Sequence, residues 1–260
     1  MPVVFSPSLR KLAAVILVRY GNARRFDRQA IKKPKPSLLS KCELMTDSNR
    51  YRISFAKTPA IRFTSHLDIH HAWERMLRRA QVPLVYSQGF NPRPRINLST
   101  ALPLGCTSEC ELADVWMEEE CSPADLLQDL RRVAPLGLHI TAVERVEKQQ
   151  PSLQIQVIAV EYEVYLDPAP PLEELRSSVR AVLEAETLPR RRRGKDYDLR
   201  QLIEAIEVIQ DNGEGPQLEM RLAAREGATG RPEEVLLALN LDPTLARSHR
   251  TRLIMVHCQL

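Results

Sequence analysis

Past its first fifty residues, this 260-residue chain changes its apolar period in a regular order. RYRISFAK places Tyr51, Ile53 and Phe55 on alternate positions, the two-residue period of a half-buried strand. Ser65 then offers an N-cap, with Asp68 at the third helical position. Ile69, Trp73, Met76, Leu77 and Ala80 recur at helical spacing until Pro83 stops the run. An extended segment around Arg95–Leu98 and a strand over Leu112–Met117 follow. SPADLLQDLRRVA opens with a Ser-Pro start signal and spaces Leu126, Leu127, Leu130 and Val133 for a helix. Leu138–Val146 closes as a strand, so the order is β-α-β-β-α-β, the ferredoxin-like arrangement.

The later half predicts that order again. Leu153–Val160 fits a helix and a strand equally, and Tyr162–Leu166 reads as a strand. Leu172–Leu183 is an amphipathic helix, Leu188–Arg193 and Leu218–Ala223 are strands, Pro232–Leu239 is a helix and Arg252–Val256 a strand. Leu199, Leu202, Ile203 and Ile206 predict an extra helical insertion over Asp198–Ile209. The expected fold class is α+β, two tandem ferredoxin-like (βαββαβ) units packed as one body, spanning residues 45–148 and 149–260.

Charge changes the picture of residues 1–44. They hold ten Lys/Arg against Asp27 and Glu43, a local +8 within a chain of net charge +4, which leaves −4 for the remainder. The global balance is therefore no argument for nucleic acid, and any basic surface on the body must be local. The first 44 residues read as a basic tail, disordered or a start-site artefact, because Met45 opens MTDSNRYRISF directly before the first strand. A targeting peptide and a basic arm stay open as alternatives. No window approaches the ~18 apolar residues of a membrane span. Five cysteines, an odd number without a secretory signal, fit a reducing compartment and a cytoplasmic protein. Cys106 and Cys110 begin the C-x3-C-x2-C pattern of radical S-adenosylmethionine enzymes, but Ala113 stands where the third cysteine belongs.

SHLDIHHAWERMLRRAQVPLVYSQGFNPRPRI, Ser65–Ile96, concentrates the candidate chemistry. His66 and His70 share a helix face as metal ligands do, but HExxH is absent, and Asp68 lies about 200° around the helix from His66; no metal is expected. His66 and Asp68 are candidate catalytic groups for acid–base work, with helix capping and a hydrogen-bonded imidazole as the plainer reading. Arg62, Arg75, Arg78, Arg79, Arg93 and Arg95 stand against Asp68 and Glu74, a local +4. Guanidinium groups bind phosphate oxygens bidentately, and Tyr86 and Phe90 flank a turn where Ser87, Gly89 and Asn91 could shape a contact with bases. A solvated basic helix face is the alternative. A second run, Arg190, Arg191, Arg192, Arg193 and Lys195, is expected to complete a cleft between the two units.

RYRISFAKTPAIRFTSHLD, WERMLRRAQVPLVYSQGFNPRPRINL, ALPLGCTSE and, later, YEVYL with RRRRGKDYDLRQLI resemble the radical-SAM-linked protein family, the DUF2344 domain, across about residues 50–256. Pro59 departs from the pattern, where a glycine is more usual. The resemblance implies a domain fused to, or encoded beside, a cobalamin-type radical SAM protein, often near genes of ribosome and RNA processing. The expected function is an accessory protein that binds or presents RNA, tRNA or rRNA, to that enzyme through its arginine clusters. S-adenosylmethionine and an iron–sulfur cluster are expected on the partner and no cofactor on this chain. An adaptor docking on the radical SAM subunit, and an RNA-acting enzyme using His66 and Asp68, are the alternatives.

Overall fold

The alternation in the first strand becomes a two-sided sheet in a computed structural model of the chain, which describes residues 49–147, 149–192, 194–210, 215–225 and 227–256. β1 (Asn49–Lys57) turns Tyr51, Ile53 and Phe55 toward α1 (His66–Arg79), whose buried stripe is Ile69, Trp73, Met76 and Leu77. Phe55 and Trp73 meet edge-on with ring centroids 5.0 Å apart. The Ser65 hydroxyl caps α1 by accepting from the Asp68 amide at 3.2 Å. Beyond its end Gln81 takes a positive φ of 56°, and Pro83 cannot continue a helix.

β2 (Ile96–Leu98) and β1 flank β3 (Thr107–Met117), and α2 (Pro123–Val133) carries the chain back to β4 (Leu138–Val146) on the far side of β1. The order of this half is β4-β1-β3-β2 with every pair antiparallel. A one-turn helix, α3 (Leu153–Gln156), enters β5 (Val157–Leu166). Then come α4 (Leu172–Glu184), β6 (Pro189–Arg192), β7 (Lys195–Asp198), β8 (Ile203–Gln210), β9 (Pro216–Arg225), β10 (Ala228–Thr229), α5 (Pro232–Ala238) and β11 (Ala246–Met255). Here the order is β11-β5-β9-β8, again antiparallel throughout, with β10 also on β9.

β11 runs parallel to β3, pairing His249 with Thr107 and Arg250 with Ser108, so the two halves share one nine-stranded sheet. Because β2 covers only Ala113–Val115 of β3, the start of that strand is left for β11. Glu111 sits opposite Phe55, and Arg250 opposite Tyr162, each on the side of its own helix-covered core. As Arg250 reaches Glu111, both helical layers lie on one face of the sheet.

The other face differs between the halves. In the first, fully buried Asp114 accepts hydrogen bonds from both Arg50 and Arg52. Those arginines also reach the connector, Arg50 at the carbonyls of Gln150 (2.7 Å) and Pro151 (2.8 Å) and Arg52 at the Gln156 side chain (3.3 Å). In the second half, Glu161, Glu163, Glu207, Glu219 and Arg221 line an open groove.

One sequence expectation fails in the second half, and a second is met in a different setting. Asp198–Ile209 is not an inserted helix. A short 3-10 turn, Arg200–Leu202, leads into β8, where a bulge between Ile203 and Ala205 turns both Ile203 and Ile206 to the core. That three-residue spacing imitates a helical stripe. The strand expected over Leu188–Arg193 is present at Pro189–Arg192 but stands off the main sheet. Pro189–Arg192 pairs only with β7, as a separate two-stranded hairpin. The undecided stretch Leu153–Val160 is helix first and strand from Val157 onward. The basic tail of residues 1–44 and the start at Met45 lie outside the described residues; among the described residues no helix is long and apolar enough to cross a membrane.

Candidate functional site

The arginine-rich segment divides between the two ends of α1. Fourteen residues of helix separate those ends by about 20 Å. At the C-terminal end, the chain from Val85 to Arg95 folds back on itself beside β3. The Val85 amide donates to the Trp116 carbonyl at 2.9 Å and the Arg95 amide to the Val85 carbonyl at 2.8 Å. Ser87 closes the loop above them: its amide donates to the Arg93 carbonyl at 2.8 Å, and its hydroxyl accepts from the Arg93 amide at 3.0 Å. Beyond that closure the tip carries Gly89, Phe90 and Asn91, with the Phe90 ring wholly in solvent and Tyr86 42% exposed.

The arginines around this loop are not equivalent. Arg95 stacks its guanidinium 4.3 Å from the Trp116 ring, and Arg79 donates to the Val133 carbonyl at 2.8 Å. These two are partly committed to the fold. Arg75, Arg78 and Arg93 are exposed and have no carboxylate partner among the described residues.

At the N-terminal end of α1, Asp68 and His66 part company. Asp68 accepts from the Ser65 hydroxyl at 2.7 Å and completes its own helix cap. His66 borders a small recess of about 20 Å³ lined also by Phe55, Lys57, Thr64, Ile69, Leu98, Leu102 and Glu111, and not by Asp68. Burial lowers the His66 pKa, and His70 and Arg250 add to the effect while Glu111 opposes it, so the imidazole is held neutral. Lys57 is buried and donates to the carbonyls of Arg62 at 2.8 Å and Thr64 at 3.2 Å. Its pKa is also lowered by burial.

His70 and His71, with Glu74 between them, form the metal-compatible group among the described residues, their ligand atoms all within 4.8 Å of one another. His71 Nδ1 lies 3.2 Å, and His70 Nδ1 3.6 Å, from the two Glu74 oxygens. Sequence spacing joined His66 to His70, whereas the fold joins His70 to His71 through a carboxylate.

Behind the recess a buried polar lattice binds the two halves together. Arg250 donates to Glu111 at 2.9 Å, to the Tyr162 hydroxyl at 2.8 Å and to the Ala101 carbonyl at 3.1 Å. Burial alone would lower the Arg250 pKa, but the Glu111 carboxylate and Tyr162 hydroxyl reverse this and raise it. Burial pushes Tyr162 up to about 12, and the thiols of Cys106 and Cys110 up to about 11. Both cysteines are thus held as protonated thiols at neutral pH.

Beside the lattice the seam opens into a cleft. One lobe, about 380 Å³, is lined by Pro59, Arg62, Gly105 and Thr107 from the first half and Tyr165, Arg247, Ser248 and His249 from the second. A second lobe of about 670 Å³ shares Arg62, Gly105, Arg247 and Ser248 and adds the apolar Phe63, Leu104 and Leu245 together with the acidic Asp167 and Glu233. Arg62 is held there by the turn Pro59–Ile61. Ile61 packs so closely on Gly137 (φ 95°) that a Cβ at that glycine would lie 2.7 Å from its side chain. Sequence reasoning picked out Arg62 but missed Arg247, His249, Glu111, Arg250 and Tyr162. Strand register alone brings these together, and no local motif marks them.

The second basic run lies elsewhere. Arg190 and Arg192 are half-buried in the β6–β7 hairpin, Lys195 is exposed, Arg191 faces Asp196 at 3.6 Å, and Arg193 lies outside the described residues. Leu188, Tyr197 and Leu199 anchor the hairpin to the second core. Among the described residues of this run, none lines either lobe of the seam cleft. Arg62 meets Arg247 instead.

No curated protein matches the chain. Among solved structures, a chain of the archaeal box H/ACA sRNP Nop10-Cbf5 complex is similar at 14% identity, over 86% of this chain and 51% of that one, with a TM-score of 0.39. This chain thus spans about half the length of that protein. A putative glycine cleavage system transcriptional repressor is similar at 11% identity, over 77% of this chain and 95% of that one, with a TM-score of 0.23. The sequence signature of DUF2344, described as an uncharacterized protein conserved in bacteria, matches residues 50–232, most of the chain and nearly all of its described strands, and the chain belongs to that family.

Proposed function

We propose that this chain is an RNA-binding accessory protein of a radical SAM enzyme, holding tRNA or rRNA for modification or processing. The body consists of two tandem ferredoxin-like units, residues 45–148 and 149–260, a reading supported by the recurrence of one strand order, β4-β1-β3-β2 and then β11-β5-β9-β8. S-adenosylmethionine and the iron–sulfur cluster belong to the partner enzyme, and both proteins work in the cytoplasm.

One observation carries the RNA reading: a wholly exposed Phe90 stands at the tip of the loop that carries Arg93, and that loop follows the helix bearing the exposed Arg75 and Arg78. A phenylalanine held wholly in solvent leaves both faces of its ring open to a partner. Its π-face suits an unstacked base, while the arginines suit the adjoining phosphates. Asp68 is occupied by its own helix cap, which removes the acid–base partner that a His66-based enzyme needs. The test is binding of the purified chain to structured RNA and to single-stranded loops across a salt series. Affinity that falls steeply with salt supports the reading. Co-purification with the radical SAM protein that survives ribonuclease, without RNA affinity at low salt, makes the chain an adaptor instead.

A further inference from the structure

The cleft at the seam has a chemistry of its own. Its smaller lobe gathers Arg62, Arg247 and His249 with the hydroxyls of Thr107, Ser248 and Tyr165, and among the described residues no carboxylate lines it. That absence is notable in a body whose net charge is −4 and whose neighbouring sheet face is lined with Glu161, Glu163, Glu207 and Glu219. Neither Arg62 nor Arg247 has an ion-pair partner among the described residues. Arg62 stacks on the Phe63 ring with its guanidinium 4.5 Å from the centroid, which fixes the group without neutralising it. Thr107 Oγ1 lies 2.7 Å from His249 Nδ1 and so orients the imidazole, and the nearest acid, Glu109, stands 3.8 Å from His249 Nε2. The Tyr165 hydroxyl donates to Glu163 at 2.9 Å.

The second lobe begins at the same two arginines and also holds Asp167 and Glu233, the latter engaged by Arg231 at 3.1 Å. There Phe63, Leu104 and Leu245 are 68%, 65% and 52% exposed. Large apolar side chains left in solvent beside a cationic pocket describe a ligand with two ends, one anionic and one flat and apolar.

We propose that the seam cleft binds a terminal phosphate joined to a nucleobase, with the phosphate between Arg62 and Arg247 and the base against Phe63 and Leu104. Guanidinium pairs hold phosphate by charge-assisted bonds in fixed geometry. A volume of about 380 Å³ matches a small-ligand site. The ligand chemistry has two sources, a free nucleoside monophosphate or the phosphorylated end of an RNA strand. Each half contributes one arginine, so the site exists only where β11 joins β3. It stands apart from the α1 loop surface, and either can fail without the other.

The experiment titrates the full chain with adenosine and uridine monophosphates, the matching nucleosides, and a short RNA with or without a 5′-phosphate, by calorimetry or fluorescence anisotropy. Saturable binding of the phosphorylated probe is expected, weakened at least about tenfold for the nucleoside or unphosphorylated RNA. Arg62→Ala with Arg247→Ala should weaken it by a similar factor while circular dichroism and the urea midpoint confirm folding. Thr107→Val, which removes one cleft hydroxyl and its bond to His249, should give a smaller loss. Saturation by free monophosphates assigns the small-molecule source, and saturation by the phosphorylated RNA alone assigns the strand end. Equal affinity with and without the phosphate, or an affinity untouched in the folded double variant, overturns the proposal.

Discussion

Arg250 Nη1 on β11 lies 2.9 Å from Glu111 Oε1 on β3, with the two side chains 1% and 8% exposed. This bond crosses the one parallel pairing among the described residues, where His249 and Arg250 meet β3. So short a ladder gives little backbone cohesion, and the buried ion pair is the charged member of the side-chain bonds that fasten the halves.

Breaking that pair leaves a buried charge without its partner, which costs roughly 3–5 kcal/mol. Glu111→Ala should therefore lower the urea midpoint far more than Glu109→Ala, a change at an exposed position. Tyr162→Phe removes one neutral partner of the same guanidinium and should cost about 1–3 kcal/mol. Equilibrium urea unfolding measures both.

Alkaline pH should loosen the seam before it affects the rest. Tyr162, raised from 10.0 to about 12, and Cys106 and Cys110, raised from 9.0 to about 11, keep their protons in the folded state beyond the pH at which the unfolded chain releases them. Their contribution is complete below the unfolded values and is lost as pH rises through the folded ones. Lys57, lowered by burial, works in the opposite sense: its contribution is present above its ordinary value of 10.5 and is lost as pH falls through the folded one. Stability should fall between pH 9 and 12, most steeply once Lys57 no longer offsets the loss. Tyr162→Phe should flatten the upper part of that curve.

Gly137→Ala should destabilise by more than the usual gain from stiffening a glycine. The backbone there has φ 95°, and the new methyl would meet Ile61 at 2.7 Å. The displaced turn carries Arg62, so mononucleotide affinity should drop together with the melting temperature.

Phe90→Ala should leave the melting temperature within the error of the parent, since the ring touches solvent throughout. If the ring stacks on a base, RNA affinity should fall by about 1–3 kcal/mol. Thermal unfolding and RNA titration on one preparation separate the two effects.

The first half was legible almost element by element because its signals are local: a two-residue period in β1, a capped stripe in α1, prolines at the breaks. The second half misled at Ile203 and Ile206, where a bulge converts strand alternation into helical spacing. The candidate residues show the same divide. Arginines clustered in sequence around α1 were visible as a patch, yet Arg62 finds Arg247, 185 positions onward, only through the β3–β11 register. Long-range pairing leaves no mark on a window of sequence, and chemistry built across a seam stays hidden from it.

The account rests on RNA being gripped by the free arginines of α1, and a salt-resolved binding curve tests it most directly. Arg75→Glu with Arg78→Glu in the full chain, beside the parent, should retain the parent's melting temperature. It should lose about tenfold or more in RNA affinity at low salt, with a log–log salt slope shallower by about one unit for each lost phosphate contact. Superimposable curves for the two proteins would contradict it.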